Sequence, residues 1–315
     1  WTWGQNAYGS LGLNQSSGRF SSPVQVPGTT WAAVKWGGKN SSPVLAVKTD
    51  GTLWSWGRNE KGQGGHNNTV DYSSPVQVPG TTWSSTEGHL TSFDGAQDPK
   101  SAFAIKTDGT LWSWGYNEAG WLGDISRTSR SSPTQIPGTT WSYVAGGASG
   151  SGLAVRTDGT LWTWGTAARG CLGLNAPDNE HKSSPTQVPG TTWSKVAGGY
   201  RVGAAVRTDG TLWMWGENGY GALAQNNLTE YSSPVQIPGT TWAEVKLGYS
   251  PGVSEYNSVT ALKTDGTLWA WGTNDYGTLG QNNDTDYSSP VQIPGTTWDF
   301  VAGGPNTNAA IKDLL

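Results

Sequence analysis

Short stretches of alternating apolar and polar residues flank Asp-Gly pairs along this chain. Residues 45–48 precede the pair at Asp50, and residues 53–57 follow it with the pattern Leu-Trp-Ser-Trp-Gly. Period-two alternation is typical of a half-buried β-strand, and Asp-Gly between two such stretches favours a tight hairpin, because both residues accept positive φ. The pattern recurs at Asp108, Asp158, Asp209 and Asp265. It therefore predicts a series of equivalent β-hairpins.

Each hairpin belongs to a longer repeated unit that contains three tryptophans. Two of them are spaced i, i+2 and share one face of the second hairpin strand. These pairs are Trp1/Trp3, Trp54/Trp56, Trp112/Trp114, Trp162/Trp164, Trp213/Trp215 and Trp269/Trp271. The third tryptophan ends the phrase Pro-Gly-Thr-Thr-Trp and begins a further strand. A segment flanked by prolines supplies an edge strand, because proline cannot donate a hydrogen bond to a ladder. Each unit is thus expected to form four short strands.

The units fill the whole of residues 1–315 and predict one closed architecture. They begin near Trp1, Trp54, Trp112, Trp162, Trp213 and Trp269. No unit can bury its own apolar face, so we predict a single all-β domain, a β-propeller of six four-stranded blades. The first unit lacks the strand that precedes its tryptophan pair, and residues 309–315 supply such a strand without a pair after it. We therefore expect the N- and C-terminal segments to pair in one composite blade that closes the ring.

Composition and charge narrow the function classes. Charged residues make up 13% of the chain and the net charge is −4, with a pI near 5.4. This balance argues against binding to a nucleic-acid backbone, which requires a basic surface. The single cysteine, Cys171, excludes an internal disulfide bond. No apolar run reaches about 18 residues, so no membrane-spanning segment is predicted.

The repeat also carries a family resemblance. Its fullest form, Asp-Gly-Thr-Leu-Trp-x-Trp-Gly-x-Asn-x-x-Gly-x-Leu-Gly, stands at residues 265–280, with Ser-Pro-Val and Val-Ala-Gly-Gly segments downstream. Over essentially the whole chain this pattern resembles the regulator of chromosome condensation repeat family. The resemblance implies a propeller. Family members include a seven-bladed exchange factor for a small nuclear GTPase that also binds chromatin, a secreted bacterial β-lactamase inhibitor, and repeat proteins of bacteria and phages. We expect this chain to be more similar to the bacterial and phage members.

Two departures from the founding member argue against nucleotide exchange on a GTPase. The chain has six units where that member has seven blades. The histidine that follows Gly-Gly in the family is also missing, since Ala148, Tyr200 and Pro305 stand at that position.

Candidate catalytic groups are sparse. The histidines His66, His89 and His181 lie at non-equivalent positions and are interpreted as exposed loop residues. No nucleophile–base pair, metal-ligand cluster or phosphate-binding loop is found, so we predict a protein that is not an enzyme and binds no cofactor and no metal. A cation recurs two residues before each turn aspartate, and pairing with that aspartate is favoured over a role at a channel mouth. These cations are Lys48, Lys106, Arg156, Arg207, Lys263 and Lys312.

Differences between the copies indicate the candidate binding surface. The connection from Thr-Thr-Trp to the next hairpin is long in two copies, at residues 86–100 and 246–258, and these connections should project from one face. Aromatic residues and arginine on variable loops of a rigid scaffold are typical of recognition, although tolerated drift of surface loops is an alternative. The predicted partner-binding residues are Trp36, His89, Phe93, Tyr200, Arg201, Tyr249 and Tyr256. A second loop set, expected on the opposite face, carries Tyr8, Trp121, Arg169, Tyr220 and Tyr276.

Three functions are compatible with these observations. The first is a non-enzymatic propeller scaffold, a structural or recognition subunit displayed on a cell or phage surface, which binds a protein or self-associates in a particle or filament. The second is a soluble protein-binding regulator, either an enzyme inhibitor or a GTPase regulator. The third is a lectin that binds a surface glycan through exposed aromatic residues. The first predicts an extracellular or virion-surface location, whereas a cytoplasmic location remains open for the second.

Overall fold

The chain folds into a series of small antiparallel sheets. The computed structural model describes residues 1–37, 42–94, 100–249, 257–304 and 307–312. Within these ranges the structure is all-β apart from one 3₁₀ turn, Ala7–Gly9, and 24 strands form five four-stranded and two two-stranded sheets. This confirms the prediction of an all-β chain built from four-stranded units.

The strands of each sheet follow one another along the chain. The two-stranded sheets contain β1 (Thr2–Gln5) with β2 (Arg19–Val24), and β23 (Trp298–Gly304) with β24 (Thr307–Lys312). The four-stranded sheets are β3 (Trp31–Trp36), β4 (Pro43–Lys48), β5 (Leu53–Gly57) and β6 (Tyr72–Gln77); β7 (Leu90–Asp94), β8 (Lys100–Ile105), β9 (Leu111–Gly115) and β10 (Arg130–Gln135); β11 (Trp141–Gly147), β12 (Ser151–Arg156), β13 (Leu161–Gly165) and β14 (Lys182–Val188); β15 (Trp193–Gly198), β16 (Val202–Arg207), β17 (Leu212–Gly216) and β18 (Tyr231–Gln236); β19 (Trp242–Tyr249), β20 (Asn257–Lys263), β21 (Leu268–Gly272) and β22 (Tyr287–Ile293).

The Asp-Gly hairpins differ from the two-residue turn that the sequence predicts. Between β4 and β5, the Gly51 N–H donates to the Lys48 carbonyl at 2.9 Å, and the Lys48 N–H donates to the Thr52 carbonyl at 3.0 Å. Of the pair, only Gly51 has a positive φ, at +76°. The hairpin is therefore a type I turn closed by a glycine bulge. The Asp50 carboxylate stabilises it by accepting hydrogen bonds from the N–H and the hydroxyl of Thr52.

The second tryptophan of each pair joins neighbouring sheets. Trp164 is fully buried, and its Nε1–H donates to the Trp121 carbonyl of the preceding sheet at 3.0 Å. The equivalent bonds, 2.8–3.0 Å long, run from Trp56, Trp114, Trp215 and Trp271 to the carbonyls of Ser10, Gln63, Cys171 and Ala222. The residue between the two tryptophans is also buried, as Ser113 and Thr163 show. The strand is thus covered on both faces.

The first strands of six of the seven sheets lie around a common channel. Successive first strands contact one another from β3 through β7, β11, β15 and β19 to β23. A cavity of about 160 Å³ is lined by residues of all six of these inner strands. Glycines allow the close approach: a Cβ at Gly198 would lie 2.7 Å from the Gly146 carbonyl oxygen of the neighbouring inner strand. The inner strands therefore position side chains of all six units at one axis.

The predicted composite blade is not assembled. β1–β2 and β23–β24 remain separate sheets, so the structure does not confirm the six-bladed closed ring. We call the opening between these two sheets the seam. In the described ranges, no helix is long and apolar enough to cross a membrane.

Candidate functional site

The inner strands present two residues of each unit to the channel. We call the tryptophan that ends Pro-Gly-Thr-Thr-Trp the leading tryptophan. Because side chains alternate along a strand, the residues two and four positions after it share one face. In β11 these are Tyr143 and Ala145, which line the channel; Val144 between them also lines it and is buried.

In the inner strands other than β7 the two positions hold Ala33/Lys35, Tyr143/Ala145, Lys195/Ala197, Glu244/Lys246 and Phe300/Ala302. In β7, Leu90 pairs with Ala104 as Val144 pairs with Ala154, so Thr91 takes the place of Ala145, and Glu87 lies in the connection before the strand. Lys35, Thr91, Tyr143, Ala145, Ala197 and Lys246 line the channel at these positions, so the units present side chains of different charge and size to it.

An ionic cluster occupies part of this channel. The Lys246 Nζ lies 2.5 Å from Glu244 Oε1 and 3.5 Å from Glu87 Oε1. Burial alone would lower the pKa of Lys246, but Tyr143, Glu244 and Glu87 raise it. The pKa of Glu87 is lowered by Lys246, against the effect of burial. Both groups consequently stay charged at neutral pH, and the cluster fixes charges that could meet polar groups of a binding partner.

Lysines on both sides of the cluster add positive charge. Loss of hydration in the channel and the charge of Lys246 lower the pKa of Lys35, while Glu87 and Glu244 oppose the change. Lys195 is close enough to Glu87 to contribute to the lowered pKa of that carboxylate. The three lysines outnumber the two glutamates, so the channel favours anionic or hydrogen-bond-accepting groups of a partner.

Two sets of connections lie at the same end of the sheets. In a four-stranded antiparallel sheet, the connection between the first and second strands and the connection between the third and fourth strands lie at the same end of the sheet. We call these the first and third connections. Gly150, in a first connection, is so close to Trp121, in a third connection, that a Cβ there would lie 2.5 Å from the indole. The expectation that the second loop set projects from the opposite face is therefore wrong. We call this end the loop face, and the end with the Asp-Gly hairpins the turn face.

Buried asparagines make the third connections rigid. The Asn117 Oδ1 accepts the Leu122 N–H at 2.9 Å, and its Nδ2 donates to the Thr128 carbonyl at 3.1 Å. Equivalent asparagines are Asn6, Asn59, Asn218 and Asn274. In the fourth unit Ala167 replaces the asparagine, and its backbone N–H donates to His181 Nδ1, as the Asn59 N–H does to Asp71 Oδ1. The outer part of the loop face is thus scaffold held by the repeat.

The sequence-predicted site residues fall into different environments. Trp36 ends β3 and is 55% exposed. Phe93 lies in β7 opposite Ser101, and Tyr249 ends β19 opposite Asn257. Tyr256 lies outside the described residues. Among these four residues, the structure shows an exposed side chain for Trp36.

Tyr200 and Arg201 belong to loop-to-loop packing. Tyr200 is only 1% exposed, so it is not the surface residue that the sequence predicted. The reason is its bonding: the Tyr200 N–H donates to Asn257 Oδ1, and Asn257 Nδ2 donates back to the Tyr200 carbonyl, both at 2.7 Å. The Arg201 guanidinium lies 4.7 Å from the centre of the Tyr200 ring, and the Arg201 N–H donates to Ser149 Oγ. These residues hold adjacent first connections together.

His89 bridges two sheets and is not an exposed loop residue. Its Nε2 lies 2.8 Å from the Ser142 carbonyl, to which it donates, so Nδ1 at 2.8 Å accepts the Ser84 hydroxyl hydrogen. His66 is likewise half-buried, with Nε2 2.8 Å from Ser55 Oγ. The predicted exposed histidines are thus corrected to hydrogen-bonded structural residues.

Burial lowers the pKa of His89 below its usual 6.5, and the same holds for His66 and His181. As pH falls below 6.5, the unfolded chain gains protons that the folded chain resists, so the free energy of unfolding should decrease. Denaturant midpoints measured from pH 7.5 to 5.5 should fall, and a His89→Gln variant should show a shallower fall. An unchanged slope in this variant would contradict the assignment.

The recurring cations lie between tryptophan rings. After the threonine hydrogen bonds, their charges also contribute to the lowered pKa of the turn aspartates. The Lys48 Nζ is 4.9 Å from the Trp31 ring centre and 4.2 Å from that of Trp54. Lys106, Arg156, Arg207 and Lys263 occupy equivalent sites at 4.3–4.8 Å. Cation–π attraction, added to cross-strand pairing with the leading tryptophan, explains the position. These cations are therefore scaffold of the turn face.

Groups suited to catalysis or metal binding are not assembled in the described part of the chain. No cluster of three or more His, Cys, Asp or Glu side chains there could hold a metal ion. Burial raises the pKa of the Cys171 thiol to about 11, which leaves it protonated and unreactive at neutral pH. What the arrangement offers chemically is binding, through the charges of the channel and the exposed Trp36 at its side.

Comparison with known proteins identifies the repeat. A family model, Regulator of chromosome condensation (RCC1) repeat, matches residues 50–85, 108–153, 158–206, 209–250 and 265–311. The Ultraviolet-B receptor UVR8 of Arabidopsis thaliana is 29% identical over 93% of this chain, which spans 53% of that protein. Human WBSCR16 has a TM-score of 0.77 at 23% identity, with 99% of this chain and 81% of that chain covered. Yeast RCC1 (Prp20), solved with Kap60 bound, has a TM-score of 0.75 at 17% identity, with 98% and 75% covered.

Proposed function

Because the chain belongs to the regulator of chromosome condensation repeat family, we propose that it is a protein-binding propeller module. It engages its partner through the loop face, with the channel charges and Trp36 as the specific contacts. The residues shared by all units form a rigid scaffold, and the residues that differ between units contact the partner.

The observation that carries this proposal is where the copies differ. The hairpins, the tryptophan pairs and the asparagine-organised connections are nearly the same in all units. The inner strands instead hold Lys35, Tyr143, Glu244 and Lys246 at two equivalent positions, and Glu87 lies in the connection before β7. A structural requirement shared by all units would favour one residue type at these positions. Divergence toward charged and aromatic residues at one axis is typical of a recognition site.

The relatives favour a regulator over a surface scaffold. UVR8 is named a receptor, and the yeast RCC1 structure contains the protein Kap60 bound to it. The chain spans about half of UVR8, so the activity of that whole protein is not transferred. Protein binding by the yeast relative agrees with a channel that contains fixed charges.

A pair of matched variants tests the proposal. The site variant carries Trp36→Ser and Lys195→Gln. The control variant carries Leu228→Ser and Arg127→Gln, which remove one exposed apolar residue and one exposed cation from third connections. In affinity capture from the source organism, the wild type and the control should retain the same protein. The site variant should bind that protein at least about tenfold more weakly, which corresponds to 1.4 kcal/mol of binding free energy.

Two results would contradict the proposal, provided that both variants keep the wild-type unfolding midpoint. One is equal retention of the partner by both variants. The other is capture of glycan-bearing material or of further copies of this chain alone, which would favour a lectin or a structural subunit.

A further inference from the structure

The charges of the channel are separated along its axis. Each inner strand starts at the turn face, where the N–H of the leading tryptophan bonds to a hairpin glycine, as from Trp242 to the Gly210 carbonyl at 2.9 Å. Later residues of the strand therefore lie nearer the loop face. Lys246 comes two residues after Glu244 in β19, so the lysine is the closer of the two to the loop face. Glu87 precedes β7 and also lies on the turn-face side.

The loop-face side of the channel carries two lysines. Lys35 stands four residues after Trp31, at the level of Lys246, and both line the cavity of about 160 Å³. Lys195 stands two residues after its leading tryptophan, at the level of Glu244. The turn-face side thus has two carboxylates and one ammonium group, and the loop-face side has two ammonium groups. An anion that enters from the loop face therefore encounters positive charge before it reaches either carboxylate.

Lys35 lacks a counter-ion. Lys246 is paired with Glu244 and Glu87, whereas Lys35 forms no ion pair within the described ranges, and the two carboxylates act on it only at longer range. Loss of hydration and the charge of Lys246 both lower the pKa of Lys35. The two ammonium groups at this cavity repel each other, and an anion between them would relieve the repulsion. Part of the Lys35 side chain is exposed, so an ion from solution can reach it.

Small residues leave this part of the cavity open. At the level of the two lysines, β11 and β15 carry only the methyl groups of Ala145 and Ala197, and Thr91 of β7 adds a hydroxyl to the lining. One residue closer to the loop face, the cavity is lined by Gly146, Gly198 and Gly303. The lysines therefore face a space that no large side chain of these strands fills.

The turn-face side of the cavity is obstructed. The ion pair between Glu87 and Lys246 joins the segment before β7 to β19, and β11 and β15 separate these strands along the series, so the pair crosses the channel. The Tyr143 ring packs nearby on Gly88, where a Cβ would lie 2.2 Å from Tyr143 Cε2. The loop face is consequently the open approach to Lys35, and it is also the face to which the partner is proposed to bind.

We propose that the loop-face end of the channel binds an oxyanion, a carboxylate or phosphate group, between Lys35 and Lys246. The inference rests on the proposed function, because a partner on the loop face can insert an acidic or phosphorylated side chain into the channel. A free dicarboxylate or phosphate ion offers the same chemistry. Lysine suits both kinds of group, since its ammonium acts as a point charge and imposes no fixed geometry on the oxygen atoms.

Calorimetric titration of the chain alone with sodium succinate and with inorganic phosphate, at constant ionic strength, tests the site. Lys35→Met removes the charge and keeps an unbranched side chain, and it should weaken the binding of both probes about tenfold, as expected for a lost charge-assisted hydrogen bond. The control is Lys182→Met on outer strand β14, where an exposed ion pair with Glu180 contributes little. It should bind as the wild type does. No binding by the wild type, or equal affinities of the wild type and Lys35→Met, would overturn the proposal.

A second variant should strengthen binding, a result that misfolding cannot mimic. Glu87→Gln removes a negative charge beside Lys246 and keeps the shape of the side chain. Both probes should then bind about threefold more tightly, because less of the Lys246 charge is neutralised within the channel. Unchanged or weaker binding by this variant would show that the channel charges do not hold the probes, and the proposal would be wrong.

Competition with the captured partner identifies the source of the oxyanion. If the partner carries it, succinate or phosphate should release the partner from the wild-type chain, whereas sodium chloride of the same ionic strength should not. Binding of the probes without release of the partner would support the site with a free ion as its occupant. Because the titrations require no partner, their failure would overturn the oxyanion site alone, and the capture experiment would still decide the proposed function.

Discussion

Replacing Trp164 by alanine is expected to lower the free energy of unfolding by about 3–5 kcal/mol. The side chain is fully buried, its ring centre lies 5.5 Å from that of Phe103, and its Nε1–H donates to the Trp121 carbonyl of the preceding sheet. The substitution removes apolar contact on both sides of the interface and leaves a buried carbonyl without its donor. The measurement is chemical denaturation monitored by the remaining tryptophans.

Trp162→Ala is the matched control for this prediction. Trp162 belongs to the same pair but is half-buried, and its Nε1–H donates to Thr160 Oγ1 two residues away in the same unit. It should therefore be less destabilising than Trp164→Ala. A Trp164→Phe variant separates the lost hydrogen bond from the lost ring. If Trp162→Ala destabilises the protein as much as Trp164→Ala, the second tryptophan is not the residue that joins the sheets.

Replacing Gly216 by alanine is expected to destabilise the protein by more than about 3 kcal/mol, because steric overlap adds to backbone strain of about 1–3 kcal/mol. Gly216 has φ +107°, and a Cβ there would lie 2.1 Å from the Arg201 carbonyl oxygen. The Arg201 carbonyl accepts the Glu217 N–H at 2.9 Å, so moving it away from a Cβ would weaken that hydrogen bond. The free energy of unfolding of Gly216→Ala measures the combined effect.

Gly57→Ala separates the two contributions. Gly57 occupies the equivalent position with φ +98°, but the nearest atom to its Cβ would be the Ser42 carbonyl oxygen at 3.5 Å. This variant should show backbone strain alone, about 1–3 kcal/mol. Equal destabilisation by the two variants would mean that the overlap at Gly216 is relieved by a small shift.

The sequence predicts the fold well because the same local signals occur in every unit. Asp-Gly between alternating stretches, as at Asp158, locates a hairpin, and the Pro-flanked segment locates the edge strand. The hairpin type was wrong, because Asp158 accepts the Thr160 N–H and hydroxyl hydrogens instead of adopting positive φ. Closure of the ring stays a prediction, since it depends on how two distant segments meet.

The site was harder to predict because its geometry depends on register and strand parity. The position of Lys48 between Trp31 and Trp54 follows from a cross-strand register that no local pattern encodes. The first and third connections of a four-stranded antiparallel sheet lie at one end, so the sequence already allows both loop sets to be placed on the loop face. Lys246 could have been found from the sequence, because it stands four positions after Trp242, where the units differ. Glu87 could not, because it lies in the connection before β7. Tyr200 could not be placed, because its burial depends on Asn257 of another unit.

On this account, the partner contacts the residues that differ between units, on the loop face. Hydrogen exchange of the chain with and without its captured partner tests this claim most directly. We expect slower exchange on binding in peptides that cover residues 31–37, 83–91 and 193–201, with no change in the turn-face hairpins at residues 48–52, 106–110 and 156–160. Protection confined to those hairpins, with unchanged inner-strand peptides, would contradict the claim.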